Sequence, residues 1–563
     1  MTVVQERPPV EAPTRASAPP VTGRAMTDSW LDTSDHKRLG LLFIYAALFF
    51  LLVSGVVALV LGGQQASSSV GLSASRVARL YGLHTQSGIL LFLTAIWIGL
   101  ATYVVPLQVG AGRLALPRLT AVAFWLYLVG GVLFLVSYLE GQVNGLGLTQ
   151  STPIPHLAGG ANSATMLWIV SLGMVSLGFL LASASLLVTV VGLRTEGMTF
   201  LRVPAFSWAS FVAACVTMVA TPVFLGGLLL LGIDQRFGGL LLAPTTKGSL
   251  DIWQRTIWLY GRPDVYLITI VALGAASDIV ATHARRPLLE HRAALVFLGL
   301  FAVLSLGSWA ANPKVGAVVV PTYNVLTAAV AIPLGLTVLM WLGTMARARP
   351  HFHVSLLFVV GAIGLWVLGA ANALGAGLHH VNGLSGSSAW VAGNIHAVVI
   401  GPPTLLAVGA LYHWGPKMYG RTLSGAGGGL VFLLLFVGLA ATGLAFYFLG
   451  YNGAPIVQMS GATSYQKTLY DLAEAGGVLV ALGVLVLIGD LLGAALGKGR
   501  PAVGEDPYGG LTLEWATTSP PPPWGFDAVP EVRSEAPLAY LRQVAEAGAG
   551  TGPGSSAAVG GRR

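Results

Sequence analysis

The sequence predicts an all-α fold, a polytopic membrane bundle of twelve transmembrane helices. Charged residues make up only 9% of the 563-residue chain while the hydrophobic class reaches 55%. Mean hydropathy is +0.75, and apolar runs recur from Leu39 to Leu496, more apolar sequence than a soluble core accommodates. A bilayer core about 30 Å thick asks for roughly 20 apolar residues per helix.

Runs of that length fall near 40–62, 82–106, 119–139, 164–192, 206–233, 254–281, 293–310, 321–345, 354–375, 390–413, 428–450 and 471–498. Net charge is +8, but the basic residues are scattered through short loops, which argues for a membrane topology signal and against a nucleic-acid patch. Arg113, Arg118, Arg194, Arg202, Arg285, Arg286, Arg292, Arg347, Arg349, Lys417 and Arg421 all fall in loops on one side. That side is expected to be cytoplasmic, with both termini, so even-numbered spans run from outside to inside.

Residues 1–32 are rich in Pro, Ala and Thr and lack the apolar core of a signal peptide, so they are expected to form a disordered cytoplasmic extension. Residues 33–498 form one transmembrane domain, and the Pro/Gly-rich residues 499–563 are expected to be a loosely structured cytoplasmic tail. The single cysteine, Cys215, excludes a disulfide framework, and no Cys-x-x-Cys-His element offers covalent haem attachment.

His84 and His396 stand out as the histidines set inside strongly apolar stretches at the depth a membrane haem needs. Each lies a few residues into a span that starts outside, so the two imidazoles are expected at equal depth in the outer third of the bilayer. An ionisable side chain within a span is costly and marks a functional hypothesis by default. Two neutral imidazoles on opposite sides of an iron give a six-coordinate haem that passes electrons and has no open position for oxygen. The alternative is that each histidine merely hydrogen-bonds a neighbouring helix, and the residues alone leave that open.

The chain resembles subunit I of the haem-copper oxidases, the bacterial cytochrome c oxidase branch in particular, over about residues 33 to 530. The resemblance rests on Thr33-Ser34-Asp35-His36-Lys37, Pro106-Leu107-Gln108-Val109-Gly110-Ala111, Pro117-Arg118, Asp234-Gln235-Arg236-Phe237, Gly261-Arg262-Pro263-Asp264-Val265-Tyr266 and Trp341-Leu342-Gly343-Thr344-Met345. It continues in Trp414-Gly415-Pro416-Lys417, Leu513-Glu514-Trp515 and Ser519-Pro520-Pro521-Pro522. It implies that His84 and His396 are the axial ligands of one low-spin haem, the only cofactor expected, with its type left open.

The same resemblance implies losses. Asn394 stands where the family binds the iron of its oxygen-reducing haem, and a carboxamide lacks the imidazole lone pair. Residues two apart on a helix point about 200° apart, so that position serves the opposite face from His396. Arg262 replaces the first copper ligand and cannot coordinate. Ala311 and Asn312 replace the adjacent histidine pair, so no copper centre is expected. Arg113 takes the place of the acidic entrance to one proton channel and Thr337 that of the lysine of the other, while Asp264 shortens the inner glutamate and Tyr266 remains. Ile456-Val457 align with the arginines that neutralise haem propionates, and Gly386-Ser387 with an outer His-Asp magnesium pair. His379, His380 and Arg79 are outer-side residues that could substitute for the arginines.

The expected function is therefore electron relay within a membrane redox complex of the bacterial-type inner membrane, without an oxygen-reducing centre. Partners implied are other membrane redox subunits, an outer-side donor such as a cytochrome c or cupredoxin domain, and the lipid bilayer, with no nucleic acid. Two alternatives are a haem-free scaffold subunit and an active terminal oxidase with unusual ligands. A repurposed anion pocket at Arg262 is a further one. Absence of paired broken helices and inverted repeats argues against a secondary transporter.

Overall fold

The computed structural model describes residues 33–67, 71–140, 163–237, 250–310, 325–378 (except 327 and 349), 388–456, 461–497 and 500–549, together with Trp30. Within these, the structure describes only the backbone at 67, 250–265, 307–310, 373–378 and 547–549. The described residues are helical, apart from loops and one isolated bridge between Ser388 and Pro455. Helices are what such sequence must form in lipid, where each backbone N–H and C=O has to be satisfied within its own segment.

We number the helices α1 (His36–Ser67), α2 (Ala74–Gln108), α3 (Pro117–Glu140), α4 (Ser163–Gly192), α5 (Ala205–Arg236), α6 (Leu250–Ala284) and α7 (His291–Ala310). They continue as α8 (Ala331–Ala346), α9 (Val354–Leu378), α10 (Ala389–Tyr419), α11 (Gly425–Tyr451), α12 (Ser464–Ala495) and α13 (Pro537–Ala549). Ten of these, in whole or in part, are long and apolar enough to cross a membrane, and two shorter apolar helices, His291–Leu306 and Ala331–Ala346, fall at the seventh and eighth expected spans.

Neighbours in sequence pack together: α1 on α2, α3 on α4, α5 on α6, α9 on α10 and α11 on α12, with α12 returning against α1. The most enclosed helices are α2 and α6, whereas α1, α3, α11 and α12 turn side chains such as Phe49, Val56, Leu433 and Leu485 outward, as lipid-facing helices do. Lipid supplies no hydrophobic drive between helices, so close backbone approach matters. At the α1–α2 crossing a methyl group on Gly40 would lie 2.8 Å from the Gly99 carbonyl oxygen. Helix α12 starts at a capping box, Gln466 N–H donating to Thr463 Oγ1 and Thr463 N–H to Gln466 Oε1.

The C-terminal segment differs from the loose tail expected. Residues 500–536 lie on the bundle, with Leu513, Glu514 and Trp515 at most 1% exposed in a 3-10 turn. Its anchor is Lys417 near the end of α10, whose Nζ donates to the carbonyls of Glu505 at 2.7 Å and Thr517 at 2.6 Å. A dense Pro/Gly composition obscured these tertiary contacts in the sequence.

Candidate functional site

His84 on α2 and His396 on α10 come together, although 312 positions separate them. Their ring centres are 6.4 Å apart and their planes within 14° of parallel. His396 sits inside a local widening of its helix and His84 three residues before one: α10 is π-helical over Ile395–Ile400 and α2 over Ser87–Thr94. Such widened turns occur often at functional sites.

The sequence explains the second of them. Pro402 and Pro403 follow directly and have no N–H to offer the carbonyls four residues back. Val398 oxygen is taken instead by the indole Nε1–H of Trp366 on α9, at 3.3 Å. In α2 the hydroxyls of Ser87 and Thr94 bond back to Leu83 and Ile89 carbonyls.

Each imidazole has its Nδ1 engaged. His84 Nδ1 lies 3.1 Å from the Ser54 carbonyl oxygen and 3.1 Å from Ser54 Oγ, and the same hydroxyl donates to the His84 carbonyl at 3.0 Å. His396 Nδ1 lies 2.8 Å from the Ala392 carbonyl one turn earlier. A carbonyl acceptor requires the proton on Nδ1, which leaves the Nε2 lone pair of each neutral ring for a metal. Phe446 from α11 lies nearly parallel to His396 at 5.7 Å. Ser54 was not singled out by the sequence; a serine on an apolar helix carries no signal of its partner until α1 and α2 are packed.

Asn394 is half-buried beside the pair, its Oδ1 3.5 Å from the Tyr447 hydroxyl. Thr337 is buried and donates to the Pro333 carbonyl at 2.8 Å, so its hydroxyl serves its own helix. Arg113 is exposed between α2 and α3. Tyr266 meets Phe301 edge-on at 6.0 Å, and Ile456 is buried. Arg262 lies on α6 with its side chain, like that of Asp264, outside the described residues; Ala311, Asn312, His379, His380, Gly386, Ser387 and Val457 lie outside them altogether. Among the described residues no group of three or more His, Cys, Asp or Glu is placed to hold a metal.

Further histidines are enclosed by the helices as well. His283 near the end of α6 and His413 in α10 are 2% and 0% exposed. At the same end of the bundle Gln108 Nε2 donates to Asp278 Oδ2 at 2.8 Å and to Glu514 Oε1 at 3.0 Å. Asp278 also accepts from the amides of Ala205 and Phe206 at 3.2 Å, closing the first turn of α5. Burial pushes the Glu514 carboxyl above the usual carboxylate range.

The family described as "Cytochrome C and Quinol oxidase polypeptide I" matches residues 38–490. The chain belongs to the haem-copper oxidase subunit I family. It is 30% identical to cytochrome c oxidase subunit 1 of Corynebacterium glutamicum over 551 residues, covering 96% of this chain and 94% of that one. Identity to the same subunit of Corynebacterium efficiens is 30% over 555 residues, with 96% and 94% covered. In fold it is similar to a haem-copper terminal oxidase solved as a dimer, with TM-score 0.67 at 16% identity and coverage of 83% of this chain and 85% of that one. Within this oxidoreductase family the chain is a degenerate, multi-pass membrane relative, with no metal cluster among the described residues.

Proposed function

We propose that this chain binds one low-spin haem between His84 and His396 and relays electrons within a membrane redox complex. The observation that carries the proposal is the geometry of the pair. With histidine–metal bonds of about 2.0–2.1 Å and ring centres about 1.1 Å beyond the nitrogens, two axial imidazoles need centres about 6.2–6.4 Å apart. The measured separation is 6.4 Å. The bonded Nδ1 atoms support it further, because a ligating histidine characteristically donates its other ring N–H to a carbonyl or carboxylate.

Bound there, the haem supplies a one-electron couple. Ser54 and Ala392 hold the ring orientations through their carbonyls, so that His84 and His396 would both hold the iron and the haem would serve electron transfer. With Asn394, Arg262, Ala311 and Asn312 in place of oxygen-site ligands, this reading gives the chain no oxygen chemistry of its own. It includes twelve transmembrane helices, the two shorter ones counted, with both termini cytoplasmic. Electrons would come from an outer-side donor of cytochrome c or cupredoxin type and leave to a partner redox subunit. The similar solved oxidase is a dimer, which supports association with further subunits.

A second reading, a haem-free scaffold, is favoured by the buried apolar Ile456 where the family carries a propionate-neutralising arginine. A haem assay with reduced-minus-oxidised and carbon monoxide difference spectra separates the two. One haem per chain, silent to carbon monoxide and lost in His84→Ala and in His396→Ala, is the expected result. No haem establishes the scaffold, and a carbon monoxide-binding haem overturns the loss of the oxygen site.

A further inference from the structure

At the end of the bundle that carries the C-terminal segment, three histidines from three stretches of chain meet. His283 (α6) and His353, just before α9, have ring centres 4.9 Å apart and planes within 12° of parallel. His283 and His413 (α10) meet edge to face at 5.4 Å. Tyr508 of the C-terminal segment closes the group, 4.6 Å from His353, 5.3 Å from His283 and 6.0 Å from His413. Trp515 of the same segment lies 5.3 Å from His413. Neither ring nitrogen of the fully buried His413 has a hydrogen-bond partner, nor does the Tyr508 hydroxyl.

The cluster is wired for uncharged rings. The Ser355 amide N–H is 3.3 Å from His353 Nδ1, which must therefore carry a lone pair. Ser355 Oγ, 2.9 Å from the same nitrogen, donates there and accepts from His283 Nε2 at 2.8 Å. One hydroxyl thus orients two imidazoles, and a proton on His353 Nδ1 removes both of its acceptor contacts. Burial pushes His353 down to about 4.

We propose that this cluster is a pH-sensitive latch, holding the C-terminal segment on the bundle while its imidazoles are uncharged and releasing it when they take up protons. The hydrogen bonds of His283 and His353 go to Ser355 and not to a carboxylate. A proton on His413 would be repelled by one on His283 or His353, and a proton on His283 by His353, His351 and Arg285. Lys417 stands one turn further along α10. Of the nearby carboxylates, Asp506 accepts from Tyr508 N, Gly510 N and Arg542, and Glu514 accepts from Gln108 and Trp414 on Oε1 while its Oε2 stays unpaired and burial favours its uncharged form. Charged imidazoles there face one another in a buried setting, and moving Tyr508 out to admit water relieves both the repulsion and the desolvation.

Amide hydrogen exchange of the full chain in lipid nanodiscs tests this, compared at about pH 7.5 and about pH 5 after correction for intrinsic exchange. Protection of residues 503–516 is expected to fall about tenfold on acidification while that of α6 and α10 holds. His413→Phe keeps the packing and removes one of the three titrating rings, so the loss of protection at the lower pH should shrink, with His283 and His353 still titrating. Tyr508→Leu should lower protection at both values and flatten the response. Protection indifferent to pH in the wild type overturns the latch, and so does an undiminished response in either variant that folds.

Discussion

Gly393 on α10 lies against Gly443 on α11 so closely that a methyl group on Gly393 would sit 2.9 Å from the Gly443 carbonyl oxygen and 2.9 Å from the Tyr447 amide nitrogen. Both obstacles are backbone and cannot swing aside. The seam fixes where α10 stands three residues before His396. Gly393→Ala should therefore force the helices apart, costing about 1–3 kcal/mol as overpacking does. Thermal unfolding in detergent should show the loss, and haem content should fall with it.

Ser54→Ala removes the hydroxyl but leaves the main-chain carbonyl that His84 Nδ1 faces. Haem should still bind. The lost hydroxyl contacts are worth about 0.5–1.5 kcal/mol each, enough to loosen the imidazole orientation. Broadened electron paramagnetic resonance lines of the oxidised haem and faster haem loss to an apoprotein acceptor are the expected readouts; unchanged lines would show that the carbonyl alone orients the ring.

Pro402→Ala restores an N–H that can reach the Val398 carbonyl, now held by Trp366. The widened turn at Ile395–Ile400 should then tighten toward an ordinary α-helix and rotate His396 away from His84. Circular dichroism should be unchanged while haem occupancy drops several-fold, a separation that simple unfolding would not produce.

Glu514 provides a pH-dependent test outside the spans. Because burial raises its folded-state pKa, the folded protein holds that proton more tightly than the unfolded chain. The resulting stabilisation is complete below the unfolded value of about 4.3 and is lost as pH rises through the raised folded value. Glu514→Gln keeps an acceptor for Gln108 and Trp414 and does not titrate. Its melting temperature should exceed that of the wild type increasingly as pH rises from about 5 to about 8.

Much of the bundle was legible because apolar runs of span length have little choice of structure in lipid. The paired ligands were legible because His84 and His396 are polar exceptions inside such runs. Ser54, the turn widened by Pro402 and Pro403, and the Gly393–Gly443 seam were not, since each acquires meaning only from a helix distant in sequence. His283, His353 and His413 were hidden for a related reason: their common partner, Tyr508, lies in a segment whose composition reads as a loose tail.

The engaged Nδ1 atoms of His84 and His396 have one more consequence. Each ring is oriented by a protein carbonyl. An ion gaining or losing an electron there would find its two donors already in position, so little nuclear rearrangement need accompany the change of charge. Small reorganisation energy favours rapid transfer in both directions, and the rigidity that confers it also keeps either ligand from stepping aside.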